Sequence, residues 1–254
     1  MRISDKFDEL KTKKEGALIT YVCAGDGDTA GIVHALIRGG ADIVEMGLPF
    51  SDPIADGPTI QASIERALDA GMNPDRYFEM VKGLGVAVPL VVMTYYNLIF
   101  KRGLERFVKD CKDSGITGVI VPDLPPEESG ELGGYCEGNG VDLIFLIAPT
   151  TTGDRLEDIL ERGTGFLYLV SRLGVTGARA NIAGSTKEVL DRVKTDKPKA
   201  VGFGISSGAQ AAEIIKSGAQ GVIVGSAFVD IIAGGEDVAG RLEALAREIK
   251  SSLG

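Results

Sequence analysis

Residues 17–47 read ALITYVCAGDGDTAGIVHALIRGGADIVEMG. Two continuous apolar runs, Ala17–Ala24 and Asp42–Gly47, flank a stretch, Thr29–Arg38, whose apolar positions recur at helical spacing. Neither run alternates apolar with polar residues, as a strand with one wet face would. Continuous runs suit parallel strands buried on both faces. The stretch therefore reads as strand, helix, parallel strand.

The same unit repeats towards the C-terminus. Further strand-like runs fall at Leu90–Tyr95, Gly118–Pro122, Leu143–Ala148, Phe166–Ser171, Ala200–Gly204 and Gly221–Val224. Helical patterns follow them at Leu104–Asp113, Glu127–Glu137, Gly153–Glu161, Thr186–Val193, Gly208–Lys216 and Asp237–Ser251, and Thr59–Ala70 follows the second strand. Eight alternations in 254 residues predict an α/β fold, a single (β/α)8 or TIM barrel over residues 1–254, rather than an open doubly wound sheet. Two stretches are extra. Leu10–Glu15 reads as the end of an N-terminal helix capping the barrel floor, and Pro74–Lys82 as a helix added in the loop after strand two.

The bulk properties narrow the function. A 44% hydrophobic content suffices for one sizeable core. The net charge of −9 disfavours nucleic acid and anionic membrane surfaces as partners. Three cysteines, Cys23, Cys111 and Cys136, lack metal-ligand spacing and read as reduced thiols, which predicts a cytoplasmic protein with no metal site. Residues 1–16 lack an apolar signal core, and no run approaches the length of a membrane span. The one histidine, His34, sits in a helical pattern far from any strand end, so a Ser-His-Asp triad is disfavoured.

Chemistry in such barrels sits at the C-terminal ends of the strands. Glu45 is embedded in the apolar strand end IVEMGLPF. A carboxyl buried there needs a partner or a raised pKa, and a raised pKa suits a general acid near neutral pH; a purely structural acid is the competing reading. The loop that follows carries Pro49, Pro53 and Pro58 with Asp52 and Asp56. Asp56 either faces a ligand or makes an ordinary Asp-Gly turn. Glycines close three late strands, in Gly174-Val175-Thr176-Gly177, Gly202-Phe203-Gly204 and Gly225-Ser226. Backbone amides at such turns approach anions closely, and the loops after strands seven and eight commonly bind phosphate in this fold. There is no GxxxxGK[ST] and no Rossmann fingerprint, so no nucleotide cofactor is indicated. Tyr21, Tyr168 and Phe203 lie at strand ends, where aromatic rings can sandwich a flat apolar ligand or simply belong to the core. Residues 172–183, bounded by glycines, have the makings of a lid. Strand interiors carry no lysine, which disfavours Schiff-base chemistry.

The segment SDPIADGPTIQ, residues 51–61, resembles the signature of the tryptophan synthase α subunit family. Other strand ends agree: YVCAGD, MTYYN, VPDLPPEES, FLYLVSRLGVTG, VGFGIS and VIVGSAFV, so the resemblance spans nearly the whole chain. It implies retro-aldol cleavage of indole-3-glycerol phosphate to indole and glyceraldehyde 3-phosphate. Glu45 and Asp56 would be the catalytic carboxylates, and Tyr21, Ile60 and Phe203 the walls around indole. Tyr168 would stand beside the carboxylates. Gly177, Gly204, Gly225 and Ser226 would cradle the phosphate. Arg172 and Thr176 would work in the lid, with Thr176 meeting the Asp56 loop on closure. No cofactor is implied for this chain. The implied partner is a β subunit that carries pyridoxal phosphate, in an α2β2 heterotetramer. Cys23, Gly27 and Leu98 stand where relatives usually have threonine, proline and proline. None of these departures removes a catalytic group. Three other readings share parts of this pattern: another phosphate-binding barrel lyase or isomerase, a stand-alone indole-releasing lyase, and a mainly regulatory partner-binding subunit.

Overall fold

A computed structural model of the chain describes residues 1–170, 182–202 and 204–254, the side chains of residues 182–185 apart. Among the described residues, nine short strands run parallel in one sheet: β1 (Ala17–Cys23), β2 (Ile43–Gly47), β3 (Leu90–Met93), β4 (Ile116–Ile120), β5 (Asp142–Ile144), β6 (Leu146–Ile147), β7 (Leu167–Val170), β8 (Lys199–Gly202) and β9 (Gly221–Val224). Their order is β5-β4-β3-β2-β1-β9-β8-β7-β6. The two ends of that order are successive pieces of the expected fifth strand. β5 pairs with β4, β6 pairs with β7, and Phe145 between them accepts a hydrogen bond from the Tyr168 amide at 3.1 Å. The strand breaks where it changes neighbours, and the sheet is thereby rolled into the expected barrel.

The helices are α1 (Ile3–Lys13), α2 (Thr29–Arg38), α3 (Pro58–Asp69), α4 (Pro74–Gly83), α5 (Tyr96–Arg102), α6 (Leu104–Asp113), α7 (Gly130–Asn139), α8 (Gly153–Arg162), α9 (Ile182–Arg192), α10 (Gly208–Lys216), α11 (Ser226–Gly234) and α12 (Val238–Ser251). Two of them depart from the sequence reading. The α5 heptapeptide YNLIFKR is too short to display a period. SAFVDIIAG in α11 is apolar almost all round, so it has no polar face to mark it as a helix. The helix expected from Glu127 starts instead as a 3-10 turn at Pro126–Glu128 and restarts at Gly130.

Alternate strand residues face inwards. Ile19, Ile43, Val91, Ile120, Ile144 and Ile223 fill the barrel interior. Ile3, Phe7 and Leu10, spaced four and three apart on one face of α1, join this cluster from below, and the Phe7 ring lies 5.9 Å from that of Phe166. The floor is thus plugged, as the sequence predicted. The outward residues pack on the helices and form the larger core. Lys250 on α12 fastens the floor: its Nζ donates to Asp42 at 2.9 Å and to the Gly16 carbonyl at 3.1 Å, and pairs with Glu15 at 3.0 Å.

The added helix α4 begins with Pro74 and is capped by Asn73, whose side chain accepts from the Asp75 and Arg76 amides at 3.1 Å each. It braces the strand that carries Glu45, because the buried Tyr77 hydroxyl donates to the Met46 carbonyl at 3.0 Å. Thr94 Oγ1 donates to the Leu48 carbonyl at 3.1 Å, so the end of β2 is held from two sides.

Candidate active site

A cavity of about 270 Å3 opens at the C-terminal ends of the strands. Met93, Ile120, Leu146 and Ile223 line it together with Tyr21, Glu45, Asp56, Ile60, Tyr168, Gly225 and Ser226 from the sequence reading. Among the described residues lining it, none is lysine or arginine.

Glu45 projects into the cavity from β2 and is 1% exposed. Its Oε2 has no hydrogen-bond partner among the described residues. Burial, reinforced by the nearby Asp56 carboxylate, pushes the Glu45 carboxyl up to about 8. A carboxyl with that value is mostly protonated at neutral pH.

Asp56 enters from the loop before α3. Burial raises its pKa, and a hydrogen bond from Tyr95 works in the opposite direction. The Tyr95 hydroxyl donates to Asp56 Oδ2 at 2.6 Å and accepts from the Ala55 amide at 3.0 Å. Gln61 Nε2 donates to the Asp56 carbonyl at 2.8 Å. Side chain and backbone of Asp56 are therefore both fixed. Sequence reasoning assigned no role to Tyr95. It lies inside the quoted MTYYN, yet nothing local shows that its hydroxyl reaches a loop 39 residues earlier.

Tyr21 and Tyr168 also line the cavity, and each ring needs a glycine beside it. A Cβ at Gly202 would lie 2.7 Å from the Tyr168 hydroxyl, and one at Gly47 would collide with the Tyr21 hydroxyl. Tyr21 stands opposite Glu45 in the β1–β2 register. Ile60, on the first turn of α3, forms another wall.

Gly225 and Ser226 line the cavity at the start of α11, with Gly225 at the N-cap. The first-turn amides of a helix have no intrahelical acceptors and favour an anion. Gly204 lies exposed just past β8 and is not among the residues lining the cavity. Arg172, Thr176, Gly177 and Phe203 lie outside the described residues. Among the described residues, no group of three or more histidine, cysteine or acidic side chains is placed to hold a metal ion. No helix among them is long and apolar enough to cross a membrane.

Fold and cavity together define the class: a (β/α)8-barrel enzyme whose mouth holds two coupled carboxylates, a largely apolar pocket and a helix N-terminus. Comparison with known proteins names the family. Residues 7–253 match the family model described as tryptophan synthase alpha chain, and the chain belongs to that family. It is 65% identical to the tryptophan synthase alpha chain of Methanosarcina acetivorans, over 99% of this chain and 94% of the relative. Among solved structures it resembles tryptophan synthase from Mycobacterium tuberculosis, with a TM-score of 0.91 and 39% identity over 99% and 98% of the two chains. It likewise resembles tryptophan synthase subunit alpha from Legionella pneumophila, with a TM-score of 0.90 and 30% identity over 99% and 98%.

Proposed function

We propose that this chain cleaves indole-3-glycerol phosphate to indole and glyceraldehyde 3-phosphate as the α subunit of a cytoplasmic tryptophan synthase. The observation that carries the reading is Glu45. A buried carboxyl raised to about 8, lining an apolar cavity and with one oxygen unpartnered among the described residues, suits proton delivery to a ring carbon at neutral pH.

The carbon–carbon bond to indole C3 breaks once C3 is protonated and the ring can leave as a neutral molecule. Glu45 gives that proton. Positive charge then develops on the ring nitrogen, and Asp56, whose ionised form the Tyr95 hydroxyl favours, stabilises it, taking up the nitrogen proton and returning it as the electrons of the breaking bond flow back into the ring. As the bond breaks, the adjacent glycerol hydroxyl becomes the aldehyde carbonyl and releases its proton, which the Glu45 carboxylate recovers. Tyr21, Ile60 and Tyr168 supply the apolar walls, and Phe203 is assigned to the same pocket. The α11 N-terminus with Gly225 and Ser226 receives the phosphate, together with Gly177 and Gly204. Arg172 and Thr176 belong to the lid that closes over the site.

The partner is a β subunit whose bound pyridoxal phosphate supplies the chemistry that joins indole to serine, in an α2β2 assembly. The exposed Ile54 and Phe100, on the mouth side of the barrel, support a docking face there. The test is indole release from indole-3-glycerol phosphate by the purified chain, with and without the partner. Slow release that the partner accelerates is the expected result. Release already at full rate without the partner would favour a stand-alone lyase, and none under either condition would leave a regulatory subunit.

A further inference from the structure

Three carboxyl groups among the described residues are buried at or below 8% exposure: Asp42, Glu45 and Asp26. Lys250 answers the first, and the second faces the cavity. Asp26 sits in the loop after β1 at 3% exposure, behind the cavity wall. Its partner is Arg66 on α3. Arg66 Nε donates to Oδ1 and Nη2 to Oδ2, both at 2.7 Å, the two-pronged geometry that fixes orientation as well as distance.

The pair joins two walls of the site. β1 presents Tyr21, and its loop is held where the Asp26 amide donates to the Cys23 carbonyl at 3.2 Å. The first turn of α3 presents Ile60, and Asp56 immediately precedes that helix. One and a half turns of regular helix separate Arg66 from Gln61, which holds the Asp56 carbonyl. Nearer the mouth, Ser63 Oγ donates to the Ile60 carbonyl at 2.7 Å, and Cys23 on β1 packs in one cluster with Ile64 and Ala67 of α3. Glu45 stands on β2, directly beside Tyr21 in register. A shift of α3 along β1 would therefore move Asp56 while leaving Glu45 in place. Dispersion contacts alone resist such sliding weakly, whereas a forked ion pair has one geometry.

We propose that Asp26 and Arg66 are positioning residues for the cleavage reaction: their ion pair locks α3 to β1 and so sets where Asp56 stands relative to Glu45. The inference rests on the proposed function. Because remote misplacement of a catalytic group costs rate more than binding, the signature is a fall in kcat with little change in KM.

The experiment measures steady-state indole release, with the partner subunit present, for native chain, Arg66→Gln, Asp26→Asn, the double variant and Arg66→Lys, beside Glu45→Gln as the inactive reference. Urea unfolding of each is followed in parallel. Expected are a kcat loss of about tenfold or more in each neutral single variant, KM within about threefold of native, and a double variant no slower than the slower single one, since each removes the same link. Arg66→Lys, which keeps the charge and loses the fork, should recover part of the rate. A folded Arg66→Gln with kcat within about twofold of native overturns the proposal, as do losses that multiply in the double variant. Should Arg66→Gln not fold, Arg66→Lys decides: native kcat overturns the proposal, and reduced kcat at native KM supports it. A native chain no faster than Glu45→Gln would instead overturn the reaction itself.

Discussion

The Tyr95 hydroxyl donates to Asp56 Oδ2 at 2.6 Å while accepting from the amide of the preceding residue, Ala55, at 3.0 Å. One phenol from the end of β3 thereby holds both the carboxylate and the backbone of the loop that delivers it. The bond is made to the charged form of Asp56 and lowers its pKa, against the upward pull of burial.

Replacing Tyr95 with Phe removes this bond and keeps the ring. The Asp56 pKa should then rise, so a smaller fraction is ionised at a given pH. The expected outcome is a kcat reduced roughly tenfold near neutral pH, about the 1.4 kcal/mol of one charge-assisted hydrogen bond, with the acid limb of the kcat profile moved to higher pH. A pH–rate profile checks this, and a limb that stays in place would remove Tyr95 from the mechanism.

Glu45→Gln should abolish indole release yet raise stability at alkaline pH. The folded-state pKa of about 8 lies above the ordinary value of 4.5. A carboxyl raised in this way contributes its stability in full below about pH 4.5, and the contribution is lost as pH rises towards 8. The span corresponds to an upper bound on the order of 5 kcal/mol. Denaturant midpoints of native chain should therefore fall between pH 6 and pH 8.5, and those of Glu45→Gln should stay flatter. Parallel curves for the two proteins would contradict the raised pKa.

The seat of Tyr168 is open to test through its neighbour. In Gly202→Ala the new Cβ would stand about 2.7 Å from the ring, so the tyrosine must swing into the cavity or away from it. Affinity for an indole-based substrate analogue should fall by about tenfold, and the far-UV circular dichroism should match that of native chain. Calorimetric titration gives the number, and undiminished affinity would place the ligand elsewhere.

Phe100 is 67% exposed on α5 and packs with Tyr96, their rings 6.2 Å apart. An apolar side chain so placed suits a partner surface. Phe100→Asp should leave release by the isolated chain near native and cut partner affinity by about tenfold or more, the scale of an aromatic anchor. Titration with the β subunit while following indole release measures both, and native affinity would take Phe100 out of the docking face.

The barrel was legible because its strands are continuous apolar runs separated by amphipathic stretches. Leu104–Asp113 and Gly208–Lys216 fall where the periodicity placed them. The break at Phe145 was not, since a strand that changes neighbours keeps the same apolar composition. Glu45 stood out because a lone carboxyl in IVEMG has a cost that needs a reason. Tyr95 and the Asp26–Arg66 pair did not stand out, because a hydrogen bond across 39 or 40 residues leaves no mark on local spacing. The glycines at 47 and 202 read as turn or strand residues, and the rings they admit appear only in three dimensions.

The ring has two joints of different kinds. At Phe145 the chain itself runs from β5 to β6, whereas β1 and β9 meet only through pairing, Ile19 beside Ile223, about two hundred residues apart in sequence. Two arcs result, residues 17–144 and 146–224. Glu45 and Asp56 ride on the first, and Gly225 with Ser226 follows directly from the second. A substrate whose ring is met by the carboxylates of the first arc and whose phosphate sits at the end of the second spans the seam that pairing alone closes. Binding should then work as a clasp, tightening the closure of the barrel as well as positioning the reactants, and amide exchange along β1 and β9 should slow when a phosphate-bearing analogue is bound and not when indole alone is.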